Sequence, residues 1–124
     1  MENGTVFTTV KAMLPVSCDA YDGEIVTQIK AAVLDLTKTA EIVLPGDVDI
    51  TRTHQAATTS EPEQWVITDS STLTDELAVT AIATWCNMRI GNPPNYDNLL
   101  KAYESMKGSM RISGAYTNYG GVTE

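Results

Sequence analysis

The sequence predicts a mainly α domain, a small four-helix bundle with a long middle loop that leaves room for a short β-hairpin. Three observations predict it. Ile25, Ile29, Ala32, Val33 and Leu36 make one stripe at helical spacing. Residues 77–86, from Leu77 to Cys86, are apolar almost all round, the pattern of a helix buried on several sides. Leu99, Tyr103, Met106 and Met110 make a third stripe, widened by Leu100 and Ala102. The 124 residues suffice for one domain, with residues 1–112 as its body and 113–124 as a flexible C-terminal tail.

Taken in order, Val6, Val10, Met13 and Leu14 favour a first helix over residues 5–14, ended by Pro15. Asp19 or Asp22 is placed to cap a second helix over 22–39, and Glu24 suits its positive N-terminal end. Residues 41–46 are a short apolar run broken by Pro45-Gly46. Residues 47–50 and 64–67 read as short strands around a Thr- and Ser-rich loop, 51–63. Thr72 to Asp75 resembles a capping box for a third helix over 73–90, stopped by Gly91 and the Pro93-Pro94 pair. Asn95 or Asp97 caps the fourth helix, 96–112. Its C-terminal Lys107 and Arg111 suit the negative end of the dipole.

Sixteen acidic against eight basic residues give a net charge of −8, which argues against tight wrapping of nucleic acid. Most of the acidity precedes the last two helices: residues 1–70 are net −7 and residues 71–124 net −1. Cys18 and Cys86 form no CxxC pair and read as buried, reduced thiols. The first residues lack the basic start and apolar run of a signal peptide, and no apolar run approaches membrane-spanning length, so a cytosolic protein without membrane contact is expected.

Groups that could carry catalysis are scarce. The only histidine, His54, lies in the Thr-rich loop, where a solvated role is the simpler reading. Asp47, Asp49 and His54 are a loose candidate metal set. Residues 19–24 lack the alternating acids of a calcium loop and read as helix capping. No phosphate-binding glycine loop, zinc-protease or nucleophile-elbow motif is present. No catalytic residue, metal or cofactor is therefore expected. The third helix carries more apolar surface than a small domain readily hides, so Trp85, Met88 or Ile90 are expected to meet a neighbouring subunit. Lys101, Lys107 and Arg111 read as a solvated helix face or as rim contacts. Tyr116 and Tyr119 are aromatic anchors that a tail could order on a partner.

The order of these elements carries a resemblance: a first helix ending near Lys11-Ala-Met-Leu14, an amphipathic second helix, a variable polar loop, an alanine-rich helix running into Asn87-Met-Arg-Ile-Gly-Asn-Pro93, and a closing helix of the type Leu99-Leu-Lys-Ala-Tyr-Glu-Ser-Met-Lys107. It resembles the gp6-like head–tail connector (adaptor) proteins of tailed bacteriophages and prophages, most closely over residues 73–112. The resemblance implies a structural protein of the virion neck, held in the host cytoplasm before assembly. It implies a ring of copies, usually twelve, beneath the portal protein, extending the DNA channel and docking a stopper or other neck or tail protein. The last helix and tail, 96–124, would dock on the portal, and the middle loop, about 47–64, would reach the channel or the next ring. Asp47, Asp49, Glu61 and Glu63 would then face passing double-stranded DNA and repel it rather than bind it. The other readings are a different neck or tail-completion protein, a small dimeric regulatory adaptor, and a metal-dependent enzyme built on Asp47, Asp49 and His54.

Overall fold

A computed structural model describes residues 2–15, 19–90, 94–113 and 116. Among the described residues there are four α-helices: α1 (Val6–Ala12), α2 (Asp22–Leu34), α3 (Glu76–Arg89) and α4 (Tyr96–Ile112). The class is nevertheless α+β, not the mainly α four-helix bundle expected. Strands β1 (Ile50–Gln55) and β2 (Gln64–Asp69) pair antiparallel, with Ile50 opposite Asp69 and Gln55 opposite Gln64. The expectation failed on residues 51–55. Their threonines look like loop composition, but β-branched Thr51 and Thr53 alternate with Arg52 and His54, as a strand requires. The expected strand at 47–50 is displaced to Ile50–Gln55, and the loop shrinks to 56–63. Residues 47–49 still prolong the ribbon, because Ser70 N–H donates to the Asp49 carbonyl and Thr72 N–H to the Asp47 carbonyl.

The core lies around α3, which packs against α1, α2 and α4. Ala78, Val79, Ala81, Ile82, Ala83, Cys86 and Met88 are all buried there. The small side chains at 78, 81 and 83 let neighbouring elements approach closely, and Ile82 fills the centre at 0% exposure. The other elements turn apolar residues toward the same core: Val6 and Val10 from α1, Ile25 and Ile29 from α2, Tyr103 and Met110 from α4.

Capping is more tertiary than expected. The second helix spans the expected 22–39, but Asp35–Thr39 is a wider, π-helical turn in which Ala40 N–H donates to the Asp35 carbonyl. Thr37 hydroxyl donates to the Val33 carbonyl there. Asp22 does not cap α2; it forms an ion pair with Lys11 of α1 at 2.7 Å. No side chain caps α4 at Asn95. Asp75 caps α3, accepting from Ala78 N–H at 3.0 Å. The cap of α1 comes from β2: Asp69 Oδ2 accepts from Phe7 N–H at 2.8 Å, and Oδ1 from Ser71 N–H at 3.0 Å. Asp69→Ala is expected to cost about 1–2 kcal/mol in a denaturant titration, the usual range for a lost helix cap. A loss below a few tenths would show that α1 does not depend on this carboxylate.

Pro45-Gly46 forms the expected turn for an unexpected reason. A Cβ at Gly46 would sit 2.7 Å from Leu73 Cα and 2.9 Å from the Thr72 carbonyl oxygen. The turn lies directly against the backbone leading into α3, and only glycine fits.

Candidate functional site

The hairpin is the part of the structure least used by the core. Ile50 is buried at its root, while residues 51–66 are exposed on both faces. Six paired residues place its far end about 20 Å from the root. One face carries Arg52 and His54 opposite Ile67 and Trp65. The Arg52 guanidinium lies 3.9 Å from the Trp65 ring centroid, and the His54 ring centroid lies 4.8 Å from it. His54 Nε2 is 3.2 Å from Glu63 Oε1. Trp65 remains 52% exposed. Cation–π and ring contacts hold the indole in place without hiding it, so it stays available to another molecule. The sequence reading treated Trp65 only as a strand residue.

The four expected acidic residues do not form one loop. Asp47 and Asp49 sit at the hairpin root, where their N–H groups donate to Thr72 Oγ1 and Ser71 Oγ, both at 2.9 Å. Glu61 and Glu63 lie at the far end, where Thr58 N–H closes a turn on the Glu61 carbonyl. The metal set Asp47, Asp49 and His54 does not converge either, since His54 pairs with Glu63 in the outer half of the ribbon.

The expected contact residues of the last two helices fall into two groups. Met88 and Ile90 are buried within the chain, and Trp85 is partly buried. Trp85 Nε1–H donates to Gln28 Oε1 of α2 at 3.1 Å, its ring lies 5.4 Å from that of Tyr103, and the Arg89 guanidinium covers it at 4.3 Å. The surplus apolar surface expected of α3 is therefore absorbed by α1, α2 and α4. Lys107 is not a free rim cation. It is 14% exposed and pairs with Asp35 at 3.1 Å and Glu104 at 3.0 Å. Tyr103 hydroxyl donates to the same Asp35 oxygen. Burial first, then this hydrogen bond, push the Tyr103 phenol well above its usual range. That direction opposes use as a proton acceptor and suits a lock between α2 and α4. Lys101 and Arg111 stay exposed.

Tyr116, expected to be an anchor free to order on a partner, is instead packed within the chain. Tyr116 is buried, its hydroxyl donates to the capping carboxylate of Asp75, and its carbonyl accepts from Val43 N–H at 2.7 Å. Burial and the Asp75 bond push its phenol up to about 12. Burial also pushes the Cys86 thiol up to about 12. Cys18, Gly91, Pro93, Tyr119 and residues 117–124 lie outside the described residues.

These shifts predict an alkaline limit. Both folded values lie above the ordinary ones, so the protonated groups favour the fold. That stabilisation is complete below about pH 9 and falls away as pH rises toward about 12. Tyrosinate absorbance is expected to show Tyr103 and Tyr116 ionising only as the protein unfolds, with Tyr116→Phe removing part of the pH dependence. A single titration of all five tyrosines near pH 10 before unfolding would contradict the burial of these phenols.

Comparisons with protein-family models, with curated proteins and with solved structures find no match.

Proposed function

We propose that this chain is a structural assembly subunit rather than an enzyme, and specifically a head–tail connector of a tailed-phage neck. In this reading copies close into a ring beneath a portal protein, and the ring docks a stopper or another neck or tail protein. The observation that carries the assembly reading is the hairpin. A helical body with a complete core extends a ribbon that is exposed on both faces and bears a half-exposed tryptophan. The outer part of this ribbon, residues 51–66, adds little to the core of its own domain and has the reach to contact a neighbour. The phage assignment rests on the element order and the family resemblance of residues 73–112. The acidic residues at the two ends of the ribbon suit a surface that duplex DNA passes without adhering.

The mass of the purified protein over a concentration range, by light scattering, with electron microscopy of any large species, tests this reading. A ring with a central hole supports it. A monomer that assembles on portal rings also supports it. A strict dimer that ignores portals overturns it in favour of a regulatory adaptor. Portal docking by the tail is tested by a cut after Tyr116 rather than at residue 113, because the earlier cut would also remove a buried ring and the partner of Asp75. Unchanged docking by the chain ending at Tyr116 would remove residues 117–124 from the portal contact.

A further inference from the structure

Arg52 joins the outer half of the hairpin to the body of the domain. Side chains alternate along a strand, so Ile50, Arg52 and His54 of β1 share one face of the ribbon with Asp69, Ile67 and Trp65 of β2. That face turns toward the helices. Ile50 is buried, Asp69 caps α1, and Ile67 packs partly buried against the core. Beyond the Arg52–Ile67 pair, residues 53–66 are all exposed. A two-stranded ribbon with nothing packed on it is marginal by itself and free to bend. The direction of the outer half therefore depends on a contact made at its base.

Gly23, in the first turn of α2, marks that contact. A Cβ at Gly23 would lie 2.9 Å from Arg52 Nη1, 3.0 Å from Cζ and 3.3 Å from Nε. Such similar distances to three atoms of one planar group mean that the guanidinium lies flat over the glycine. The guanidinium also stacks on Trp65, with Cζ 3.9 Å from the ring centroid. Two flat contacts cannot share one face, so the guanidinium is a layer between α2 and the indole. Glycine is less favourable in a helix than alanine, and Gly23 does not lie in the left-handed region that would call for it. The space taken by Arg52 does call for it. Arg52 takes part in no ion pair among the described residues, so stacking holds it rather than a salt bridge.

We propose that Arg52 is a clasp. Layered between Gly23 and Trp65, it ties the outer half of the hairpin to the first turn of α2, and the outer half bends away from the body when the guanidinium leaves that layer. The root stays in place, because Ile50 is buried and Asp69 holds α1. His54 and Glu63 move with the indole, since His54 packs on Trp65 and pairs with Glu63. The clasp needs a planar cation with two usable faces, which a lysine ammonium lacks. Closed, it covers one face of the indole; open, it uncovers that face. Arg52 thus sets how much of Trp65 another molecule can reach and where the ribbon points. This goes beyond the assembly reading, which needs an exposed ribbon but no particular direction for it.

Gly23→Ala tests it most directly, because the atoms nearest the added methyl all belong to Arg52. The melting temperature is expected to hold or rise, since alanine favours the helix and a flexible side chain can move aside. The full chain labelled with fluorotryptophan gives one fluorine resonance for each of its two tryptophans, assigned with Trp65→Phe. Gly23→Ala is expected to move the Trp65 resonance and leave that of Trp85 in place. In an Arg52→Ala background the same substitution is expected to move nothing further, because its effect passes through the guanidinium. Residual dipolar couplings of the backbone amides read the bend itself. In the wild type, residues 53–55 and 64–66 are expected to share one alignment with α3. In Gly23→Ala, Arg52→Ala and Arg52→Lys their couplings are expected to shrink, while those of Ile50 and Asp69 hold. The clasp is overturned by a Gly23→Ala chain whose Trp65 resonance and outer couplings match the wild type. A Gly23→Ala effect that survives the loss of Arg52 also overturns it, as do wild-type outer couplings already averaged relative to α3. Should Gly23→Ala fail to fold, Arg52→Ala decides alone, and unchanged outer couplings in that chain overturn the clasp.

Discussion

Ile82→Ala is expected to destabilise the protein by about 2–5 kcal/mol, with the upper half of that range favoured, read from the midpoint of a urea titration. Ile82 is fully buried at the middle of α3, and α3 is covered by α1, α2 and α4. Its near neighbours along the helix, Ala78, Ala81 and Ala83, are too small to swing into the space left behind. The cavity would therefore persist, and the cost would include lost packing as well as lost burial. Ile112→Ala makes the same chemical change on an exposed side chain and is expected to stay within about 0.5 kcal/mol. A loss below about 1.5 kcal/mol for Ile82→Ala would show that the core around α3 can collapse, which the packing on three sides opposes. A domain of this size has about 5–15 kcal/mol in all, so this single change removes a large part of its stability.

The second large effect is expected at Asp35. Asp35→Ala is expected to cost about 2–4 kcal/mol, because the same carboxylate oxygen serves the Tyr103 hydroxyl and the Lys107 ammonium. Without it, both groups are left largely buried with reduced compensation. Lys107 keeps Glu104 at 3.0 Å, and that pair is partly solvated, so the figure is held below that for a fully enclosed pair. Burial alone lowers the Lys107 pKa, yet the hydrogen bonds it donates to Glu104 and Asp35 outweigh that and hold the ammonium above the usual lysine range. Tyr103→Phe removes one arm of the lock and is expected to cost about 1 kcal/mol. A double substitution of Asp35 and Tyr103 that is simply additive would show that the two groups are not coupled. Functionally, the lock fixes α4 against α2. Loosening it is expected to free α4 from α2 even where the rest of the domain stays folded.

The positions that the sequence alone determined are those governed by local periodicity and local breakers. The helical stripes at Ile25–Leu36 and Leu99–Met110 and the all-round apolar run 77–86 placed α2, α4 and α3 within a few residues. A helix needs only neighbours three and four positions away to declare its buried face. Pro45-Gly46 marked a turn, but the capping box expected at Thr72 with a helix from residue 73 is corrected: Asp75 caps α3, which starts at Glu76, and the Thr72 hydroxyl accepts from Asp47 N–H. The tertiary structure decided what depends on distant partners. The alternation of Thr51 and Thr53 with Arg52 and His54 allowed a strand, but Gln64–Asp69 lying opposite decided it. The cap of α1 is Asp69, 62 residues away in the chain, and the acceptor for Tyr103 and Lys107 is Asp35, 68 and 72 residues away. Tyr116 looked like a free aromatic because residues 113–124 carry no apolar period, yet it closes on Asp75 and Val43. The same logic divides the candidate surface. Charge and residue type can be read from the chain, but exposure is what remains after packing, so only the fold could separate Lys107, which is locked, from Lys101 and Arg111, which are exposed.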